Sequence, residues 1–205
     1  GFNINLNKPA PHMEPNFKFV LDAFASKDTV KTKKDIDLRI NSILIRRGKL
    51  SYDVLSEEET PGKFNPQHIK LHNIIANISL KALQNDSINA AIKRLSVDEQ
   101  SGFELRKLSL KVIANNKGMK IENFAIEMPG TEMKMDTIRM EYDSLKALNH
   151  FADNVRFSFR TLPSHVTLND ISAFVPALSN FKEKLDLNID VEGTLNQLNC
   201  RTLEI

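Results

Sequence analysis

The side chains in this sequence that could do chemistry are few, and their spacing works against it. His68 and His72 are four apart, which on a helix would put two imidazoles on one metal ion. Their surroundings alternate as a strand, where four residues span about 13 Å, too far for one ion to bridge. They read as solvent-facing or rim histidines. Glu57, Glu58 and Glu59 are adjacent carboxylates without a ligand-spaced loop, the pattern of a solvated face rather than a cation site. The basic pairs Arg46 and Arg47, Lys93 and Arg94, and Arg106 and Lys107 are interleaved with acids. With no Trp and 2 Tyr to stack on bases, the chain does not read as a nucleic-acid binder. GxSxG, HExxH, GxxxxGK[ST] and GxGxxG are all missing. We therefore expect no catalytic residue, no metal and no cofactor.

The bulk properties are those of an ordinary globular chain. Of 205 residues, 41% are hydrophobic and 26% charged, and the formal net charge is +2. A single cysteine, Cys200, excludes an internal disulfide and a cysteine-rich zinc site. No apolar run approaches the roughly 18 residues of a membrane span. Residues 1–11 lack the basic and apolar regions of a signal peptide. The sequence reads as a fragment of a longer protein.

What organises the chain is a repeated apolar ladder. In residues 101–145 the apolar residues fall as Phe103, Leu105, then Leu108, Leu110; as Met119, Ile121, then Phe124, Ile126; and as Met133, Met135, then Ile138, Met140. Spacing of two is the period of a strand with one buried face. The gap of three in each unit would turn the second half onto the wrong face. A β-bulge absorbs the extra residue while bending the strand and increasing its twist.

The same unit occurs at Leu38, Ile40, Ile43, Ile45; at Ile69, Leu71, Ile74, Ala76; and at Ala90, Ile92, Leu95, Val97. The gap residues are polar: Asn41 and Ser42, His72 and Asn73, Lys93 and Arg94, Arg106 and Lys107, Glu122 and Asn123, Asp136 and Thr137. Two-residue hairpin turns are the competing reading, but Lys-Arg and Arg-Lys lack the positive-φ preference such turns need. The units are irregularly spaced, which suits a meander of unequal hairpins better than a solenoid.

Around the ladder we expect a short strand at Phe2, Ile4 and Leu6, then a helix carrying Phe17, Val20, Leu21 and Phe24, then a lysine-rich connector over residues 27–35. These make an N-terminal region, residues 1–35, ahead of one continuous sheet region, residues 36–205. Residues 56–66 read as a solvated loop and Asn85 with Asp86 as a turn. After Leu145 we expect a turn of helix, a strand at Val155, Phe157 and Phe159, and two short helical turns broken before Pro176. A strand at Leu185, Leu187, Ile189 and Val191 follows, with Glu192 and Gly193 as a turn or bulge.

The ladder supplies 24 apolar positions, and the two helical segments offer eight residues to cover them: Phe17, Val20, Leu21, Phe24, Ile171, Phe174, Leu178 and Phe181. At roughly 1.5–3 kcal/mol for each large apolar side chain buried, that face needs a cover. Folding the sheet onto itself gives a sandwich or barrel, and folding it loosely gives an apolar trough open to a ligand. Physics alone favours the plain sandwich.

Several phrases bear a family resemblance: DLRINSILIRRGKLSYD at residues 37–53, SGFEL at 101–105 with its ladder, MPGT at 128–131 before MKMDTIRMEYD, and the late VEGTLNQL. They resemble the AsmA and TamB superfamily of bacterial envelope proteins, most closely the long TamB-like members of the Bacteroidetes type. The resemblance implies a mainly β fold of long bent antiparallel strands, forming a curled sheet, groove or open sandwich with short helices over part of its apolar face. It implies a non-enzymatic, periplasmic segment of a protein anchored in the inner membrane through segments absent here. In that family such grooves are proposed to carry phospholipid toward the outer membrane; assembly of outer-membrane proteins is the alternative role. The implied partners are phospholipid acyl chains and, in the alternative, outer-membrane assembly proteins. The candidate groove lining flanks the bends: Ile40, Ile43, Leu71, Ile74, Ile92, Leu95, Leu105, Leu108, Ile121, Phe124, Met135 and Ile138.

Overall fold

Each of the six ladder units becomes one strand. In the structure, a computed structural model that describes residues 1–19, 22, 37–84 and 87–204, they are β2 (Asp37–Val54), β3 (His68–Gln84), β4 (Ser87–Glu99), β5 (Glu104–Ala114), β6 (Gly118–Glu127) and β7 (Glu132–Glu141). The helix at Phe17, Val20, Leu21 and Phe24, the lysine-rich connector and the Asn85–Asp86 turn fall mostly or wholly outside the described residues. β1 (Asn3–Lys8) precedes the ladder; β8 (Arg156–Thr161), β9 (Ser164–Val166), β10 (Leu185–Thr194) and β11 (Gln197–Glu204) follow it. All belong to one sheet of order β1-β2-β3-β4-β5-β6-β7-β8-β10-β11. Every pairing is antiparallel except β1 with β2, which is parallel. β9 continues the line of β8 between β7 and β10, the two being parted at Leu162 and Pro163.

The gaps of three are bends, not turns. Pairing between β2 and β3 shifts register between Ile40 and Ile43, and that between β3 and β4 shifts between His72 and Ile75. The β4–β5 ladder shifts between Ile92 and Leu95, across the Lys93 and Arg94 gap, and again opposite Arg106 and Lys107. The β5–β6 ladder shifts opposite Asn123, and the β7–β8 ladder between Met135 and Ile138. Asn73 and Asn123 take left-handed backbone at φ 51° and 53°. Arg47 does so at φ 56°, marking a further bulge between Ile45 and Gly48 that lets β2 run for 18 residues. The bulges of β3 to β7 lie within a few residues of the hairpin tips at one end, so the strands bend along a common band.

Two expectations need correction. No second layer covers the sheet among the described residues, so the plain sandwich does not form: successive hairpins pair side by side, and nothing returns the chain across the face. The accessible surface is 13692 Å², against about 9,700 Å² for a compact monomer of this size. Glu192 and Gly193 are neither turn nor bulge: β10 runs through them in register to Thr194, the register shift falls between Asp190 and Val191, and the reversal comes at Leu195 and Asn196.

The helical pieces are short and sit at the rims. A 3-10 turn, Leu145–His150, leads into α1 (Phe151–Asn154), whose Phe151 stacks on Phe157 of β8 at 6.1 Å. The 3-10 turns Leu168–Ile171 and Pro176–Leu178 form a strap across three hairpin tips at the other end of the strands. Phe174 of the strap packs on Phe64 at 4.8 Å and Phe103 at 5.0 Å. The Asp170 carboxylate accepts the Gly130 N–H, and Thr167 donates its hydroxyl to the Gly130 carbonyl.

Candidate functional site

Residues directly opposite one another in a ladder share a face, and the register places the twelve candidates on one face. Ile40 faces Leu80, Ile43 faces Ile78, and Ile78 in turn faces Ile92. Leu71 faces Leu50, and Ile74 faces Gly48, where a missing side chain leaves room for the Phe2 ring. Leu95 lies between Ala76 and Leu108, and Leu105 faces Val97. Further along, Leu108 faces Ile126, Phe124 faces Met135, and Ile121 lies between Val112 and Ile138. Ile138 faces Phe159, which faces Val191. The apolar row therefore crosses eight strand positions, from β2 to β10, about 34 Å at ~4.8 Å per strand.

This face is only half covered. Of the twelve, Ile74, Leu105 and Met135 are buried, Ile43 is exposed, and the others lie between. Neighbours on the same sheet shield them, with the strap and α1 covering the two rims. Exposure rises at the two lateral edges, where Leu38 and Ile43 on β2 and Leu198 and Leu203 on β11 carry large open side chains. The recognisable clefts lie elsewhere, one under the strap at the rim and one on the opposite face beside Arg160 and Asp190, and none of the twelve lines them.

The opposite face is charged. Lys107 pairs with Glu127 and Lys111 with Glu122, both at 2.7 Å between neighbouring strands. Arg156 and Arg201 both hold Glu192, and Arg160 holds Asp190. Hydrogen bonds first from Lys111 and then from Lys120 hold the Glu122 carboxyl down at about 2. Lys134 lowers Glu132 and Arg156 lowers Glu192 in the same way. Ser109 and Ala125, which pair with each other, belong to this side.

One polar cluster escaped the sequence reading. Of the two readings, solvent-facing or rim, His68 takes the rim position but not the exposure: it is 5% exposed, packed where β2 ends and β3 begins. Its Nδ1 is 3.0 Å from Asp53 Oδ1, and its Nε2 is 3.0 Å from the Glu57 carbonyl oxygen. Glu59 lies alongside and receives a 2.8 Å hydrogen bond from Lys70. His72, two strand steps on, is not part of the cluster, so the i,i+4 spacing that drew attention to the pair was not the informative one. The signal available was the antiparallel register, which sets His68 directly opposite Asp53. The intervening loop straddles the rim, with Glu59 beside the charged face and Phe64 against the strap.

No helix among the described residues is long and apolar enough to cross a membrane. No protein-family model, curated protein or solved structure matches this chain.

Proposed function

We propose that this chain is a non-enzymatic segment of a periplasmic envelope-biogenesis protein whose bent apolar face carries phospholipid acyl chains between the inner and outer membranes. One observation carries the reading: an apolar row continuous over eight strand positions, without a second layer over it among the described residues. Such a face is costly in water at roughly 25 cal/mol per Å² and is stabilised by any hydrocarbon laid along it. A row perpendicular to the strands, open at both lateral edges, suits passage along the sheet better than enclosure of one ligand. The charged outer face keeps the sheet soluble on its other side. The resemblance to TamB-like proteins points the same way and supplies the periplasmic location and the inner-membrane anchor.

The second reading is a docking module for outer-membrane protein assembly. It is favoured by the outer edges of β2 upstream of Lys49 and of β11, with which no strand pairs among the described residues and which are templates for an added strand. Photo-crosslinkers placed at Leu108 and Phe124 of the full-length protein in the cell envelope separate the two readings. Acyl-chain adducts there, with none from Ser109 and Ala125, are expected. Equal labelling of both faces, or protein adducts alone, would sink the lipid reading.

A further inference from the structure

We propose that Asp53, Glu59 and His68 form a binding site for a transition-metal dication of the zinc class, at the rim where β2 hands over to β3. The argument starts from hydrogen bonding. His68 is buried, yet both ring nitrogens face acceptors, Asp53 Oδ1 and the Glu57 carbonyl, each at 3.0 Å. A neutral imidazole has one N–H. Whichever nitrogen carries it, the other turns its lone pair toward an oxygen 3.0 Å away; with the N–H on Nε2, a cation between Nδ1 and the Asp53 carboxylate relieves that repulsion.

A second proton on the ring would meet that need, and so would a metal ion. Two features favour the metal. The carbonyl on Nε2 is the outer contact that fixes the tautomer and aims the ring of a metal-ligating histidine. A third ligand atom, from Glu59, lies with the other two inside a 4.8 Å cluster, which a simple Asp–His pair does not call for.

The geometry closes with small movements. Metal–ligand lengths of about 2.0–2.2 Å set neighbouring ligands about 3.3–3.5 Å apart in a tetrahedron. Asp53 and His68 then open by a few tenths of an ångström, Glu59 closes in, and water takes the fourth position. Lys70 now holds Glu59, but these side chains are 36% and 53% exposed, so the ammonium can turn to solvent at little cost. One imidazole with two carboxylates selects zinc or its first-row neighbours over magnesium and calcium. Bound there, the ion pins the loop that carries Phe64 to the strap.

The test titrates zinc chloride into the chelator-stripped full chain by calorimetry, with calcium chloride as control, and repeats the melt with and without zinc. One equivalent of zinc at micromolar affinity, a higher Tm with zinc and no calcium binding are expected. Glu59→Gln and Asp53→Asn should each weaken zinc by about tenfold or more. Glu59 is exposed, so its variant retains the fold and keeps the test open even where the Asp53 variant does not. Zinc binding unchanged by Glu59→Gln places the ion elsewhere and overturns the proposal. Failure of the wild type to bind at millimolar zinc also overturns it, leaving a proton-held Asp53–His68 pair.

Discussion

The two faces of this sheet obey the same strand geometry and differ in almost everything else. On one side the cross-strand partners are apolar from Ile43 to Phe159, with few ionised groups among them; on the other they are opposite charges, such as Lys107 with Glu127 and Lys111 with Glu122. An antiparallel sheet with one solvated face normally packs the other on a core. Here, among the described residues, the second face has its own neighbours, a strap and one helical turn. Stability therefore comes from long ladders and lateral side-chain contacts.

The largest effect should come from making the faces alike. Leu108→Asp or Phe124→Asp puts an unpaired charge among Leu95, Ile126 and Met135. Both sites are half-exposed, so the cost is about 2–3 kcal/mol rather than that of a sealed core. Lipid adducts should be lost even where a cooperative melt survives. Ser109→Asp and Ala125→Asp, one residue away on the charged face, should leave the melt within about 0.5 kcal/mol of wild type. Equal damage from both pairs would abolish the distinction between the faces.

Next in size are truncations on the apolar side. Ile74 and Met135 are each 8% exposed, with Leu105 at 7% the best covered of the large residues beside the bends. Without a second layer the space left behind is open on one side, so Ile74→Ala and Met135→Ala should each cost about 2 kcal/mol, the low end for core truncations. Denaturant melts measure this, and a cost near 5 kcal/mol would mean that the face is covered in solution.

A smaller effect should follow from Gly130, which seats the strap. A Cβ there would lie 2.7 Å from Thr167 Oγ1 and 2.8 Å from Thr167 Cβ, so Gly130→Ala must push the strap away. We expect a loss of about 1–2 kcal/mol and faster hydrogen exchange over residues 168–181, with the exchange of β4 and β5 unchanged.

The parts of this arrangement that sequence revealed are those governed by local period. The six ladders, their polar gaps and the bends follow from one side chain's relation to the next, so Leu105 and Leu108 could be placed on one face in advance. That no second layer covers the sheet among the described residues was not legible, because apolar residues call for burial without naming what buries them. The Asp53–His68 contact joins residues fifteen apart through the register of β2 on β3, which alternation alone leaves undetermined. Gly193 misled for a related reason: its φ of 141° suits a turn residue, but β10 accommodates it within the strand.

The smallest effect lies on the charged face, where acid should act first. Glu122 titrates at about 2 in the folded protein, below its ordinary 4.5, because Lys111 and Lys120 hydrogen-bond its ionised form. A depressed carboxylate stabilises the fold fully above its unfolded value and loses that contribution as pH falls toward the folded one. Stability should therefore decline between about pH 4.5 and 2, with Glu132 and Glu192 shifted in the same direction. Their partners are solvent-accessible, so the slope should be shallow and flatten further in high salt. Glu122→Gln should remove part of the slope in that window by lowering stability near neutral pH, where the ionised carboxylate contributes in full, with stability near pH 2 and acyl-chain labelling at Leu108 little changed. A variant with the wild-type slope, or one that also lost the labelling, would show that the two faces do not act independently.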